Sequence, residues 1–348
     1  MRIALTADPE LPVPPLHYGG IERIVDLLAR GLASRGHDVT LFAHPDSTAE
    51  VRRVPWPGRS SNAGPDIVRN TAALATQVLR GRFDIVHSFS RIAFLTPLLP
   101  LSIPKLMTYQ RVITRRSVSR AHAVSRGTLW FTAISEDLMK PVADIGTWRL
   151  VFNGVRLDLY EFRADPGAAA PLVFLGRIEE TKGPHLAIEV ARRSGSPLVI
   201  AGNVAAEHRG WFETFVAPHI DGTTVRYVGP VDDAEKNALL GGARALLMPV
   251  LWDEPFGIVM PEAMACGTPV IGLARGAIPE VVAHEETGFV CRDVDGMVDA
   301  VARLPQIARA ACRARTERLF SERAVVDGYE AVYSEMAAAS DKRRVRSA

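Results

Sequence analysis

The sequence predicts an α/β protein built from two doubly wound, Rossmann-like parallel-sheet domains. Short apolar runs of strand length alternate with segments of helical period, and this alternation stops and restarts once. The 348 residues of the chain are enough for two domains. Strands that alternate with helices form parallel sheets covered on both faces. Because such open sheets bind ligands beyond the carboxyl ends of their strands, we expect the domains to face each other across a ligand-binding cleft.

The first predicted domain covers residues 1–163. Met1 to Ala7 is an apolar run typical of a strand, and after a proline-rich loop a pattern of helical period extends from Ile21 to Leu32. The further predicted strands are HDVTLFAH, FDIVHSF, IPKLMTY and LWFTAIS, at 37–44, 83–89, 103–109 and 129–135. The further predicted helices lie near 66–80, 92–99 and 136–144.

The second predicted domain, 172–320, follows a linker at 164–171, where ADPGAAAP interrupts the pattern with small residues and prolines. Its predicted strands lie at 171–177, 196–202, 224–229, 243–250, 268–272 and 287–291. Its predicted helices lie at 182–194, 205–219, 232–241 and near 257–266. A last helix is predicted over 321–338, and the basic tail 339–348 is expected to be solvated and disordered.

Composition is that of an ordinary globular protein, 47% hydrophobic and 23% charged, which excludes disordered, fibrous and disulfide-stapled classes. We expect the three cysteines, Cys266, Cys291 and Cys312, to be buried in a protein from a reducing compartment. The start, MRIALTADPE, reaches an acidic residue too early for a signal peptide, and no apolar run approaches the ~20 residues of a membrane span. The sequence therefore predicts a cytoplasmic protein without a transmembrane segment.

One stretch of the first predicted domain is strongly basic. No acidic residue occurs from Ile85 to Ser135. Seven basic residues lie there: Arg91, Lys105, Arg111, Arg115, Arg116, Arg120 and Arg126. The stretch is a candidate surface for an anionic partner, although several of these side chains could instead pair with acids from other segments. The net charge of the whole chain is only +2, and we expect no nucleic-acid partner.

The first motif is YGGIE at 18–22, a paired glycine between a loop and the start of a helix. Glycines at this position let the backbone approach a ligand closely while free amides and the helix dipole face an anion. A simple turn with a helix cap is the alternative. The motif does not match GxGxxG, so it gives no support to a dinucleotide site.

The second motif is GRIEETKG at 176–183. It places Arg177 at the end of a strand and Lys182 at the entry to the next helix. Two cations at the carboxyl edge of a sheet suit a diphosphate, because arginine offers a fork of donors and lysine a point charge. The alternative is that both are solvated side chains paired with Glu179 and Glu180.

The third and most specific motif is EPFGIVMPEAMACGTPVI, from Glu254 to Ile271. Gly257 is predicted to begin the helix that separates Glu254 from Glu262. The amides of Phe256, Gly257 and Ile258 would then form an anion site with one carboxylate beside it, while Glu262 points elsewhere. Two surface acids on a helix are the alternative, but the apolar surroundings favour burial.

Asp293-Val294-Asp295 spells D-x-D, a pattern in which paired carboxylates can hold a divalent cation against a diphosphate. It follows a predicted strand and precedes a helix, so helix capping is the better interpretation. We therefore predict no metal site.

These motifs together resemble the retaining nucleotide-sugar glycosyltransferases of family 4, which have the GT-B fold. The resemblance covers nearly the whole chain, from YGGIE through NGVRLDLYEF at 153–162 and GRIEETKG to the Glu-x7-Glu element. It implies a hexosyltransferase without a cofactor, whose substrate is a nucleoside diphosphate-sugar, with UDP favoured over GDP. It also implies that the last helix returns to the first domain.

By this resemblance Gly19 and Gly20 would contact the donor diphosphate, and Arg177 and Lys182 would neutralise it. Glu254 would contact the hydroxyls of the transferred sugar. The amides of Phe256, Gly257 and Ile258 would hold phosphate and sugar, and Glu262 would bind the ribose.

The chain departs from the family at the fourth strand's end, where many members have a histidine that contacts the donor sugar. Here TYQ places Gln110 at that position, and His87, at the end of another predicted strand, is the other candidate for the contact. A purely structural role for His87 at the end of its strand is an equal alternative. The predicted catalytic residues are therefore Glu254, Arg177 and Lys182, with His87 or Gln110.

We expect a transferase that moves a sugar to an acceptor hydroxyl with retention and without a metal. Stabilisation of the leaving diphosphate is its main catalytic device. The acceptor is expected to be anionic or linked to a glycan or lipid, with peripheral membrane contact. A non-catalytic sugar-nucleotide-binding partner subunit and a GT-B sugar-nucleotide epimerase are the alternatives.

Overall fold

A computed structural model describes residues 1–15 and 19–347 of the chain. The chain forms two compact units, the first from Met1–Asn153 together with Glu322–Ala348 and the second from Gly154–Ser321. Each unit contains one sheet whose paired strands are all parallel. The predicted class, α/β with two doubly wound parallel-sheet domains, is confirmed.

The strands of the first unit's sheet are β1 (Arg2–Thr6), β2 (Asp38–Ala43), β3 (Arg52–Pro55), β4 (Ile85–Ser88), β5 (Lys105–Tyr109), β6 (Leu129–Ala133) and β7 (Trp148–Leu150). Their order across the sheet is β3-β2-β1-β4-β5-β6-β7, and Leu5 of β1 is paired with Leu41 on one side and His87 on the other. The central strands are buried on both faces, which explains their continuous apolar runs. The edge strands β3 and β7 were not predicted. In β3 the charged residues and the proline, typical of an exposed edge, leave no apolar pattern.

The α-helices of the first unit before its last segment are α1 (Gly20–Ser34), α2 (Gly64–Gly81), α3 (Arg115–Val124) and α4 (Glu136–Met139). The helix predicted over 92–99 is a 3-10 helix, Ile92–Leu98, and α4 passes into a 3-10 turn, Lys140–Val142. Each of these irregular segments contains a proline, which lacks the N–H that a regular helix needs. The helix α3 was not predicted.

The second unit's sheet contains β8 (Leu172–Leu175), β9 (Leu198–Ala201), β10 (Val225–Gly229), β11 (Ala245–Met248), β12 (Val270–Leu273) and β13 (Gly288–Cys291). They lie in the order β10-β9-β8-β11-β12-β13, and each was predicted. The helices are α5 (Pro184–Arg193), α6 (Arg209–Phe215), α7 (Asp233–Gly241), α8 (Val259–Ala265), α9 (Ile278–Val281), α10 (Val294–Arg303) and α11 (Arg309–Leu319).

The division between the units lies before the predicted linker at 164–171. Residues 154–163 belong to the second unit, because their polar groups form hydrogen bonds with it. Tyr160 Oη donates a hydrogen bond to Glu262 Oε1 at 2.7 Å, and Arg163 N–H donates one to Cys266 O at 3.1 Å.

The last helix, α12 (Glu322–Ser347), belongs to the first unit and packs against α1. Gly31 permits this close approach, because a Cβ there would collide with Val326. Glu330 of α12 forms an ion pair with Arg35 at the end of α1. Its Oε1 lies 2.8 Å from His37 Nε2. The helix extends through the segment expected to be disordered, since DKRRVRS contains no glycine or proline to end it.

Among the described residues, no helix is both long enough and apolar enough to cross a lipid bilayer.

Candidate active site

The loops that follow β8 and β11 meet at the carboxyl edge of the second unit's sheet. These strands are neighbours, and the chain leaves β8 towards β9 on one side and β11 towards β12 on the other. Leu251 N–H donates a hydrogen bond to Thr181 O at 2.8 Å, and a Cβ on Gly183 would collide with Pro249 O. Ligands of open α/β sheets bind at such a topological switch point, which makes this edge the candidate site.

Lys182 and Glu254, from the two loops, form an ion pair at this edge. Lys182 Nζ donates to Glu254 Oε2 at 2.6 Å, and Trp252 Nε1 donates to the same oxygen at 3.1 Å. The ammonium also lies 4.5 Å from the centre of the Trp252 ring. Glu254 is 7% exposed, and its Oε1 has no hydrogen-bond partner among the described residues. One carboxylate oxygen is therefore available to a ligand, and the cation beside it is held in place.

Arg177, predicted as the second cation, is paired with Glu179. Arg177 Nη2 lies 3.1 Å from Glu179 Oε1, which also accepts a hydrogen bond from Thr181 Oγ1 at 2.9 Å. His208 Nε2 lies 3.3 Å from the other oxygen of Glu179. The Arg177 side chain is 40% exposed, while its buried Nε has no partner in the described part of the chain. The alternative pairing with Glu179 is thus present for Arg177, whereas Lys182 is paired with Glu254.

Gly257 precedes the helix of the Glu-x7-Glu element and does not begin it. Its φ of +71° is left-handed, and α8 begins at Val259, so the predicted helix start at Gly257 is wrong. A Cβ on Gly257 would lie 2.9 Å from Met260 Cε and 3.3 Å from Glu254 Cγ. Within the described residues, the N–H groups of Gly257 and Ile258 donate no hydrogen bond. Phe256 is buried.

Glu262, in the first turn of α8, is held by two side chains that were not predicted. Lys236 Nζ donates to Glu262 Oε1 at 2.6 Å, and Tyr160 Oη donates to the same oxygen at 2.7 Å. Glu262 is 5% exposed, and Oε2 has no partner among the described residues. The scarcity of lysine, with five in the chain, was a signal for Lys236 as much as for Lys182. Trp252 had no comparable signal.

In the first unit, α1 begins at Gly20, directly after Gly19. Gly19 has φ +154°, and a Cβ there would lie 2.7 Å from Pro15 Cβ and 2.9 Å from Glu22 Oε2, so only glycine fits. No atom of the described residues lies within 4 Å of a Cβ on Gly20. Tyr18, the first residue of the motif, lies outside the described residues. The diphosphate contact of both glycines stays a prediction.

Beside these glycines lie two buried acids that were not singled out in the sequence. Asp8 and Glu22 are 4% and 6% exposed, and burial raises the pKa of each carboxyl. Asp8 Oδ2 accepts a hydrogen bond from Arg111 Nη2 at 2.8 Å, while its buried Oδ1 has no partner in the described ranges 1–15 and 19–347. The position of Asp8 just after a predicted strand was the available signal.

Two family models match the chain in sequence. The Glycosyltransferase Family 4 model matches residues 18–159, and the Glycosyl transferases group 1 model matches residues 165–313. The chain is a family-4-type glycosyltransferase.

Individual relatives of this glycosyltransferase match along most of their length. A glycogen synthase of Mycobacterium tuberculosis is 28% identical over 89% of this chain and 88% of its own. A phosphatidyl-myo-inositol mannosyltransferase of Propionibacterium freudenreichii is 29% identical over 95% of this chain and 91% of its own. Among solved structures, the sucrose-phosphate synthase of Thermosynechococcus elongatus superposes with a TM-score of 0.81 at 22% identity, over 97% of this chain and 99% of that one. The fold is GT-B.

In this glycosyltransferase His87 does not fit the predicted donor-sugar contact. It is fully buried, with Nδ1 2.7 Å from Tyr333 Oη of α12 and Nε2 2.6 Å from Thr108 Oγ1. Desolvation lowers the pKa of the imidazole to about 3, so the ring is neutral. His87 is a structural residue under the last helix.

Gln110 is half-buried after β5, where its side-chain amide pairs with that of Asn153. Gln110 Nε2 donates to Asn153 Oδ1 at 2.8 Å, and Asn153 Nδ2 donates to Gln110 Oε1 at 2.7 Å. Both amides are thereby partly satisfied, and a sugar contact by Gln110 stays a prediction.

The basic stretch of the glycosyltransferase is only in part a free surface. Lys105 is buried, and its Nζ donates to the carbonyl oxygens of Leu98, Leu99 and Leu101. Arg111 pairs with Asp8, and Arg115 makes two hydrogen bonds with Asp144, at 2.7 and 2.8 Å. The exposed members include Arg116 and Arg120 on one face of α3. Arg111 and Arg115 are therefore paired with acids from other segments, which was the alternative to a free basic surface.

The D-x-D residues have structural partners. Asp293 caps α10, since its side chain accepts a hydrogen bond from Gly296 N–H at 2.9 Å, as predicted. Asp295 Oδ1 lies 2.6 Å from Arg193 Nη2.

Proposed function

We propose that this glycosyltransferase moves a hexose from a nucleoside diphosphate-sugar to an acceptor hydroxyl, with retention and without a metal. The observation that carries the proposal is the Lys182–Glu254 ion pair at the switch point of the second unit, with Arg177 on the same loop as Lys182. A cation bound to a carboxylate at the carboxyl edge suits a ligand that is anionic at one end and rich in hydroxyls at the other.

The donor's parts correspond to separate groups of this site. Arg177 and Lys182 neutralise the diphosphate, and the N–H groups of Gly257 and Ile258 donate to it or to the sugar. Glu254 Oε1 accepts a hydrogen bond from a sugar hydroxyl. Glu262 Oε2 accepts one from the ribose.

The reaction breaks the bond between the anomeric carbon and the β-phosphate oxygen and forms one to the acceptor oxygen on the same face of the sugar. The acceptor's proton passes to the leaving phosphate. Positive charge develops on the sugar and negative charge on the phosphate, so fixed cations at the diphosphate lower the barrier. Removing one such group typically costs a factor of about 10²–10³ in rate.

The nucleotide, the acceptor and the location are finer parts of the proposal. We propose UDP, which the family resemblance favours over GDP. The relatives named above include a glycogen synthase and a mannosyltransferase, so membership alone leaves the sugar open. The exposed arginines of α3 support an anionic or lipid-linked acceptor. The three free, buried cysteines support a reducing, cytoplasmic compartment.

Product analysis tests the proposal. The protein is incubated with UDP-, ADP- and GDP-hexoses, with EDTA, and with a panel of glycan, phosphosugar and lipid acceptors. We expect nucleoside diphosphate release and a glycoside with the donor's anomeric configuration, seen by NMR. Inverted product, or activity abolished by EDTA and restored by Mg²⁺ or Mn²⁺, would overturn retention or metal independence. Epimerised free donor would indicate the epimerase, and binding without any turnover the partner subunit.

A further inference from the structure

Lys236 is a buried lysine whose charge is directed at the candidate site. It is 8% exposed, and its Nζ lies 2.6 Å from Glu262 Oε1 and 3.3 Å from Asp233 Oδ1. The ammonium also lies 5.5 Å from the centre of the Tyr160 ring. A buried ammonium is stable only when it is paired and hydrogen-bonded, and here Glu262 supplies the buried partner.

Lys236 and Tyr160 approach the same oxygen of Glu262. Two donors on Oε1 fix the plane of the carboxylate and leave Oε2 without a partner among the described residues. Both donors lie on anchored segments. A capping box formed by Asp232 and Glu235 begins the helix of Lys236, and Arg313 Nη1 donates to Tyr160 O at 3.0 Å.

We propose that Lys236 is a positioning residue for the ribose of the bound nucleotide. With Tyr160 it holds the Glu262 carboxylate in one orientation, so that Oε2 accepts a hydrogen bond from a ribose hydroxyl. The inference rests on the proposed function, because it requires a nucleoside diphosphate at this site. Lys236 itself does not touch the nucleotide.

A purely structural ion pair between α7 and α8 is the competing explanation. Loss of such a pair would weaken folding and lower affinity for every ligand alike. A positioning role instead changes how well the site distinguishes a ribose from a deoxyribose, because that discrimination depends on a hydrogen bond of Glu262 Oε2.

The experiment compares UDP, ADP and GDP with their 2′-deoxy forms by calorimetry, using the intact protein. For the nucleotide that binds most tightly, the wild type should prefer the ribose form about tenfold or more, as expected for a hydrogen bond to a charged group. Glu262→Gln and Lys236→Met should each reduce this preference to less than about threefold. Lys236→Arg should keep it, because a guanidinium can also hold the carboxylate.

Lys182→Met is the matched control, since it removes a second lysine-carboxylate ion pair, the one with Glu254. It should weaken binding of both forms equally and leave their ratio unchanged. If Lys236→Met does not fold, Tyr160→Phe replaces it and should lower the preference about two- to tenfold, the effect of one neutral hydrogen bond.

An unchanged ratio in Lys236→Met, or in Tyr160→Phe if that variant replaces it, would overturn the proposal, and so would a wild type that binds both forms equally. Loss of the preference for the ribose form in Lys236→Arg as well as in Lys236→Met would also overturn the proposal. Absence of any nucleotide binding to the wild type is a distinct outcome, which would contradict the proposed function itself.

Discussion

Lys182 Nζ lies 2.6 Å from Glu254 Oε2, although the two residues are 72 positions apart in the chain. The contact joins the loop after β8 to the loop after β11, and Trp252 covers it through its indole N–H and its ring. In a glycosyltransferase this pair connects the cation proposed for the diphosphate to the carboxylate proposed for the sugar. The two subsites proposed for the donor are therefore in direct contact.

Replacement of Lys182 or Arg177 by Met is expected to lower kcat for sugar transfer, or for donor hydrolysis, about 10²–10³-fold. Each substitution removes one stabiliser of the negative charge that develops on the leaving diphosphate. Steady-state kinetics with the preferred donor measures the effect. Lys140→Met, which changes an exposed lysine of the first unit, is the control and should leave kcat unchanged. Near-normal turnover in both variants would contradict the proposal that Arg177 and Lys182 bind the diphosphate.

Glu254→Gln and Glu262→Gln should have separable effects. Glu254→Gln should lower turnover and discrimination between donor sugars, while the affinity for the free nucleoside diphosphate changes little. Glu262→Gln should weaken that affinity about tenfold or more, because it removes a charged acceptor from the ribose. Calorimetry with the free nucleotide, beside kinetics with two sugar donors, distinguishes them. Equal loss of nucleotide affinity in both variants would mean that the two roles are assigned wrongly.

His87 should make the folded state sensitive to acid without contributing to catalysis. Its pKa is lowered to about 3 in the fold, whereas an unfolded histidine titrates near 6.5. The unfolded chain therefore binds one more proton below pH 6.5, and this contribution to stability is present above that pH and lost as the pH falls towards 3.

The comparison of wild type with His87→Gln isolates this contribution. Between pH 7 and pH 5 the wild type should lose about 2 kcal/mol more unfolding free energy than the variant, from urea unfolding at each pH. Donor hydrolysis at pH 7 should remain within about twofold of wild type. A large loss of kcat in a folded His87→Gln protein would show that the imidazole contributes to catalysis.

The exposed arginines of α3 should contribute to binding of an anionic surface. Arg116→Gln with Arg120→Gln is expected to weaken binding to phosphatidylglycerol vesicles about fivefold per arginine at low salt, from ~1 kcal/mol per charge. High salt should reduce wild-type binding as well, because exposed charges are screened beyond about 8 Å at physiological ionic strength. Arg115→Gln is the control, since that guanidinium is already paired with Asp144. Binding that depends on neither salt nor these substitutions would show that the basic stretch is ordinary surface.

Much of the fold could be predicted because its signals are local. The strands of the second unit other than β10 are short apolar runs bounded by polar or small residues, as buried parallel strands must be. The edge strand β10 contains Arg226 and is partly exposed. The edge strand β3 was missed because its Arg52, Arg53 and Pro55 are suited to an exposed edge and carry no apolar pattern. The start of α8 was misplaced because the left-handed backbone of Gly257 is a property of its packing against Met260 and Glu254.

The site could be predicted only where its residues stand in motifs. Arg177, Lys182, Glu254 and Glu262 were singled out in this way, but the pairing of Lys182 with Glu254 and the contact of Glu262 with Lys236 were not. Lys236 lies 26 positions from Glu262 in the chain, and no local pattern specifies that contact. The environment of His87 depends on Tyr333, 246 positions away, so its burial could not be inferred from the strand that carries it.

The proposed function requires that the carboxyl edge between β8 and β11 binds a nucleoside diphosphate. Calorimetric titration of UDP, ADP and GDP into the wild type and into Lys182→Met tests this claim most directly. We expect one binding site per chain in the wild type for at least one of these nucleotides, and an affinity lowered about tenfold or more in Lys182→Met. Absence of binding to the wild type, or the same affinity in both proteins, would contradict it.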